Sequence, residues 1–185
     1  NTPLCESAIV GAALGLSLKN KKAIMEMQFA DFVTVGFNQI VNNLAKLHYR
    51  WGQNADVVIR MPTGAGVGAG PFHSQSNEAW FSHTPGLKVL YPSNPEDAKG
   101  LMLAAIEDPN PVMIFEHKAL YRSLTGMVSE NYYLTPIGKA KLIKEGEELS
   151  IITYGMGVHW AKKAIKEKNI SADILDLRTL LPLDK

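Results

Sequence analysis

The sequence predicts an α/β chain with a mostly parallel sheet, and three observations carry that prediction. Short β-branched or apolar runs at residues 56–61, 87–91 and 112–115 alternate with stretches of helical spacing, the order that buries a parallel sheet beneath crossover helices. Proline stops these runs at Pro62, Pro92 and Pro109, because it removes a ladder or helical hydrogen bond. A second series of strands and a helix follows a polar, turn-rich stretch at residues 120–136, so the chain reads as one unit, a linker and the beginning of another.

Each element has its own signal. Thr2 is placed to cap a first helix with Pro3 in its opening turn, and the body of that helix is rich in small residues at Gly11, Ala12, Ala13 and Gly15, which suits close packing on two sides. Residues 23–29 alternate apolar and polar side chains as a half-buried strand does. Phe37, Ile40, Val41, Leu44 and Leu47 have helical spacing, which predicts one helix over 35–50. Asn94 caps a helix running to residue 107. Beyond the linker, residues 139–143 and 149–154 flank a Glu145-Gly146-Glu147 turn and read as a β-hairpin; a Lys-rich helix over 158–168 and a strand over 172–177 complete a βαβ crossover. With no initiator methionine before Asn1-Thr2-Pro3 and an end just past a strand-like run, the chain reads as a piece of something longer.

Composition excludes several function classes. The 19 Lys and Arg residues balance 18 Asp and Glu to a formal +1, too little to attract nucleic acid or an acidic membrane. The apolar stretch at residues 8–18 is about half the ~20 residues that cross a bilayer. Cys5 is the single cysteine, so no intrachain disulfide forms, and a reducing compartment is the natural reading. The five histidines show no His-x-His or His-Glu-x-x-His spacing that would suggest zinc.

Three features invite a chemical reading. Gly64, Gly66, Gly68 and Gly70 form a glycine-rich loop, but Pro71-Phe72-His73 follows where a dinucleotide fingerprint needs a helix, and no Gly-Lys-Ser/Thr follows for a phosphate loop. A flexible loop over a strand end, of the kind that covers active sites, is the better fit. Glu6 stands near the start of an otherwise apolar helix; it either complements the helix dipole, worth under ~1 kcal/mol, or hydrogen-bonds a nitrogen heterocycle from a buried position. His73 ends the glycine loop as either a general acid/base or a plain loop residue. A non-enzymatic module whose glycine loop binds a nucleotide or a partner remains the competing reading.

Seven strings, in order along nearly the whole chain, bring in a resemblance: Asn1-Thr-Pro-Leu-Cys-Glu6, Gln28-Phe-Ala-Asp-Phe32, Phe37-Asn-Gln-Ile40, His73-Ser-Gln-Ser76, Pro85-Gly-Leu-Lys-Val89, Asp97-Ala-Lys-Gly-Leu101 and Asp176-Leu-Arg-Thr179. Together they resemble the β subunit, or the β-like part of a fused chain, of the thiamine-diphosphate-dependent decarboxylating component of 2-oxo acid dehydrogenase complexes. Gln28-Phe-Ala-Asp31 and Pro3-Leu-Cys-Glu6 look closer to the branched-chain 2-oxoisovalerate members than to the pyruvate members. The resemblance implies a thiamine-diphosphate-binding, pyrimidine-domain fold over residues 1–125, incomplete at its N-terminus, a linker over 126–137, and the start of a transketolase C-terminal-like α/β domain over 138–185.

It also implies roles. Glu6 would hydrogen-bond the cofactor's pyrimidine, Phe32 would stack on that ring where several relatives carry tyrosine, and Leu4 and Gln28 would line the same pocket. His73 would act near the thiazolium and an incoming lipoyl disulfide. A potassium site would use the backbone near Val57, Val58 and Ala105 together with Asp108 and Asn110. Magnesium and the diphosphate would be held by an α subunit or α-like domain through a Gly-Asp-Gly motif that this chain lacks. The implied reaction is oxidative decarboxylation of a 2-oxo acid, branched-chain first, with acyl transfer to a lipoyl-bearing acyltransferase in an assembly that includes a second β chain. The isolated chain is expected to be inactive. A pyruvate or acetoin dehydrogenase, or a transketolase-like enzyme, is the alternative, and the setting is the cytoplasm of a bacterium or the mitochondrial matrix of a eukaryote.

Overall fold

The computed structural model describes all 185 residues. Helix α1 (Glu6–Ser17) leads into β1 (Ala23–Glu26), and β2 (Val57–Thr63), β3 (Lys88–Leu90) and β4 (Val112–His117) join it in a parallel sheet of order β1-β2-β4-β3. Between them lie α2 (Leu47–Trp51), α3 (Glu78–Ser82) and α4 (Pro95–Glu107). Alternation along the strands assigns the two faces. Val57, Ile59, Met61, Val89, Met113 and Phe115 join α1 and the segment after β1 in one core of 21 residues. Val58, Leu90, Val112 and Ile114 turn the other way, onto Leu101 and Ala105 of α4, as the two-residue period of a strand requires.

Helix α4 begins as its sequence predicts. The Asn94 side chain accepts a hydrogen bond from the Asp97 amide at 2.9 Å, with Pro95 in the first turn. Helix α1 starts differently: Cys5, not Thr2, is its N-cap, with no side-chain cap, and Glu6 is its first residue. The helix expected over 35–50 is broken into a 3-10 helix (Ala30–Gly36), a π-helix (Gln39–Leu44) and α2. Three β-branched residues, Val33, Thr34 and Val35, precede Gly36 and disfavour a regular α-helix. Gly36 also lies so close to α1 that an added Cβ would stand 3.1 Å from Val10 Cγ2. In the π-turn the Ala45 amide bonds Ile40 O at 2.9 Å, and Ile40 and Leu44 are both buried.

After α5 (Leu120–Ser123) the chain crosses α4, where the Thr135 amide bonds Gly100 O at 3.1 Å. A Cβ at Gly100 would collide with Thr135 Oγ1, so the smallest residue is what lets the crossing segment lie flat. A three-stranded sheet follows, with β5 (Lys141–Lys144), β6 (Leu149–Thr153), α6 (Met156–Lys168) and β7 (Ala172–Asp176). Its order is β5-β7-β6, so the expected hairpin does not form. β7 lies between the two strands, antiparallel to β5 and parallel to β6. The connecting turn instead passes over the start of β7, where the Gly146 amide donates to Asp173 Oδ1 at 2.9 Å.

The last strand, β8 (Thr179–Leu181), leaves that sheet and pairs antiparallel with β3. It therefore closes the edge of the first sheet. The string Asp176-Leu-Arg-Thr179 makes this possible. The Arg178 guanidinium reaches Asp97 Oδ1 at 3.1 Å and the Lys139 carbonyl at 2.7 and 3.0 Å, and the Tyr91 amide bonds Arg178 O at 2.8 Å. Asp176 is fully buried, accepts from the Ser93 hydroxyl and from the Arg178 amide, and burial pushes its carboxyl above the usual range despite those bonds. Tyr154 adds a second tie, its hydroxyl donating to Glu78 Oε1 at 3.0 Å.

Candidate active site

In a parallel α/β sheet, ligands gather at the carboxyl ends of the strands. Here those ends of β1, β2 and β4 carry three segments. Gln28-Phe-Ala-Asp-Phe32 follows β1, the glycine loop and His73 follow β2, and His117-Lys118 ends β4. Gly64, Gly66, Gly68 and Gly70 all have positive φ, from 70° to 99°, a conformation that favours glycine. They lead into a 3-10 turn over Pro71–His73, not into the α-helix a dinucleotide fingerprint requires.

The loop past His73 is pinned at several points. Asp31 Oδ1 accepts from both the amide and the side chain of Gln75, at 3.1 and 3.0 Å. The Gln75 carbonyl in turn accepts from Thr63 Oγ1 at 3.0 Å and from the Gly64 amide at 2.9 Å. Asn77 donates to Ala30 O at 3.0 Å. The His73 ring sits edge-on to Phe29 and Phe32, with centroids 5.0 and 5.5 Å away. Two of the quoted strings, separated by more than 40 residues of chain, thus form one aromatic and polar cluster. Beside it opens a recess of about 790 Å³ lined by Gln28, Phe29, Val67, Lys118 and Arg122 among others.

The remaining expected site residues lie apart from this cluster or at its margin. Glu6 is half-buried in the first turn of α1 and forms no salt bridge within the chain. Leu4 is 92% exposed, so nothing in this chain encloses it. Asp31, Gln75 and Lys118 are the residues whose part in the site the sequence reading missed. The first two stood inside quoted strings, but neither spacing nor composition pairs an aspartate with a glutamine 44 positions away.

Residues 1–123 match the family described as transketolase, pyrimidine binding domain, and residues 138–185 match transketolase, C-terminal domain. The chain belongs to the transketolase pyrimidine-binding family. It is 47% identical to the 2-oxoisovalerate dehydrogenase subunit beta of Bacillus subtilis, over the whole chain and 58% of that protein. It is 48% identical to the beta subunit of the acetoin:2,6-dichlorophenolindophenol oxidoreductase of Cupriavidus necator, covering 56% of it. Among solved structures, a split-gene transketolase described as an inactive beta4 tetramer superposes with a TM-score of 0.77 at 26% identity, over all of this chain and 58% of that one. The chain thus spans little more than half the length of these relatives.

The chain, a member of the pyrimidine-binding family, has its aromatic cluster and Gln28 at the carboxyl end of the sheet and a half-buried carboxylate, Glu6, in the first turn of α1. These fit a flat, nitrogen-bearing ring: Phe32 offers an aromatic face and Glu6 a hydrogen-bond acceptor. The proposed potassium ligands fit less well. Asp108 accepts from the Asn110 amide and side chain at 2.9 and 2.8 Å, its Oδ2 is paired with the Lys88 ammonium, and its backbone carbonyl accepts from Lys22 Nζ at 2.8 Å. Burial alone would raise the Asp108 carboxyl, but the bonds from Lys88 and Asn110 hold it below its ordinary value. With two lysine ammonium groups on these oxygens, the set formed by Val57, Val58, Ala105, Asp108 and Asn110 does not suit a potassium ion. The chain supplies the positive charge there itself. No group of three or more His, Cys, Asp or Glu side chains is gathered in metal-binding fashion, and no helix is long and apolar enough to cross a membrane.

Proposed function

We propose that this chain is the pyrimidine-side, β-type part of a thiamine-diphosphate-dependent 2-oxo acid dehydrogenase decarboxylating component, with branched-chain 2-oxo acids as substrates. The observation that carries the reading is the joining of Gln28-Phe-Ala-Asp-Phe32 to His73-Ser-Gln-Ser76 through Asp31 and Gln75. Relatives from Bacillus subtilis, Arabidopsis thaliana and Dictyostelium discoideum named as 2-oxoisovalerate dehydrogenase beta subunits support the substrate class.

When bound, thiamine diphosphate supplies an electron sink for the pair left behind by departing carbon dioxide. The chain's own residues orient it and place protons. Glu6 holds a hydrogen bond to the pyrimidine ring nitrogen, Phe32 stacks on the ring, Gln28 and Leu4 border it, and His73 transfers a proton during acyl delivery to a lipoyl domain. An α-type partner holds the diphosphate and magnesium, and a second β chain completes the assembly. The inactive beta4 form of the split-gene transketolase is in keeping with a β-type chain that needs such a partner. The assembly works in the cytoplasm of a bacterial source or the mitochondrial matrix of a eukaryotic one.

The Cupriavidus relative, at 48% identity, favours acetoin as a second reading. A substrate comparison on the complete α and β assembly decides between them. The expected result is a kcat/KM for branched-chain 2-oxo acids at least about tenfold above those for pyruvate and acetoin, about 1.4 kcal/mol of discrimination. A preference for acetoin or pyruvate moves the assignment to that substrate, and turnover of none of them overturns the reading.

A further inference from the structure

Lys118 is the first residue beyond β4, and its side chain turns inward, leaving the residue only 6% exposed. Its ammonium donates to the His73 carbonyl at 2.7 Å and lies 4.9 Å from the centre of the Phe29 ring, a cation-π distance. Its backbone amide bonds Thr63 O at 2.9 Å, which fixes Lys118 to the end of β2.

One ammonium therefore holds two supports of the same imidazole: the backbone of the turn that carries it and the phenyl ring against which its edge packs. The turn needs such an anchor. The four positive-φ glycines immediately before it leave the chain the most backbone freedom of any residue type, and the Asp31 bonds grip only Gln75, two residues further on. Burying a lysine is costly, and burial does lower the basicity of Lys118, opposed by the nearby Asp31 charge. An apolar residue could fill the same space without that cost, but it could not donate to His73 O.

We propose that Lys118 is a positioning residue for His73, holding its imidazole in the place from which it serves acyl transfer. The proposal rests on the catalytic reading of His73, and the experiment separates the two. In the complete assembly, Lys118→Met is expected to lower kcat for acyl transfer to a lipoyl domain at least about tenfold, since small displacements of a catalytic group are this costly. KM for the 2-oxo acid should move less than about twofold, and Lys118→Arg should recover part of the loss. Independently of activity, the His73 Cε1 resonance in histidine-labelled protein should shift and broaden in Lys118→Met while that of His48, on α2, does not. An unchanged His73 resonance overturns the proposal, as does unchanged acyl transfer alongside a His73→Ala variant that has lost it. If His73→Ala retains acyl transfer, the catalytic reading of His73 fails while the resonance still decides whether Lys118 holds it. In the unaltered assembly the buried ammonium should give a slowly exchanging Lys118 Nζ–H signal. Its absence overturns the proposal whether or not the variants fold.

Discussion

Replacing Glu6 by glutamine in the complete assembly is expected to reduce 2-oxo acid decarboxylation by at least about 10²-fold, the lower bound for losing a positioned acid or base. The change preserves shape, so its effect lies in the charge and in the acceptor oxygen. Glu6 opens α1 from a half-buried position and forms no salt bridge within the chain. The structural loss is then confined to the helix-dipole contribution, under ~1 kcal/mol. Turnover and thermal unfolding measured on the same preparation separate the two effects. Near-normal turnover in Glu6→Gln contradicts the role given to this carboxylate, and a large fall in melting temperature makes it a structural residue instead.

Asp97→Ala is expected to destabilise the chain by about 3 kcal/mol. That is the low end for breaking a buried ion pair, because Asp176 remains beside the orphaned guanidinium. The Asp97 side chain is 3% exposed and that of Arg178 is 11% exposed. Truncating Asp97 also removes an acceptor for Asn94 Nδ2, 2.7 Å away. The damage should spread, because Arg178 brings β8 onto β3 and ties the crossing segment at Lys139. Denaturant unfolding of the single variants and of Asp97→Ala combined with Arg178→Met measures the coupling. The double variant should recover part of the loss, since it removes the orphaned guanidinium, but not all of it, because buried Asp176 then loses the charge of Arg178. A single-variant loss under about 0.5 kcal/mol, the size of an ordinary surface change, contradicts this account of how the two sheets are joined.

The sequence revealed what period and punctuation encode. β2 and β4 were legible because both their faces are buried and proline or glycine marks their ends, and α4 because Asn94 and Pro95 announce its start. What depends on distant packing stayed hidden. The β-branched run Val33-Thr34-Val35 argues locally only against a regular α-helix; the division of residues 30–51 into 3-10, π and α turns also involves the close fit of Gly36 against Val10. No local signal sends β8 to β3, some 90 residues before it in the chain. In the site, Glu6 and His73 stood out by position but each with two open readings, and their roles, like Phe32 itself, came through resemblance to a family. Lys118 was invisible because a lone lysine at a strand end reads as a solvated charge, and only the fold turns it onto His73 O.

The most direct test of the central claim, that this chain supplies only the pyrimidine half of a shared cofactor site, is a calorimetric titration of magnesium and thiamine diphosphate into the chain with and without an α-type partner. The account predicts binding only when the partner is present, together with decarboxylation of a 2-oxo acid. Tight binding by the chain alone would contradict it, because the diphosphate half of the site would then have to lie within these 185 residues.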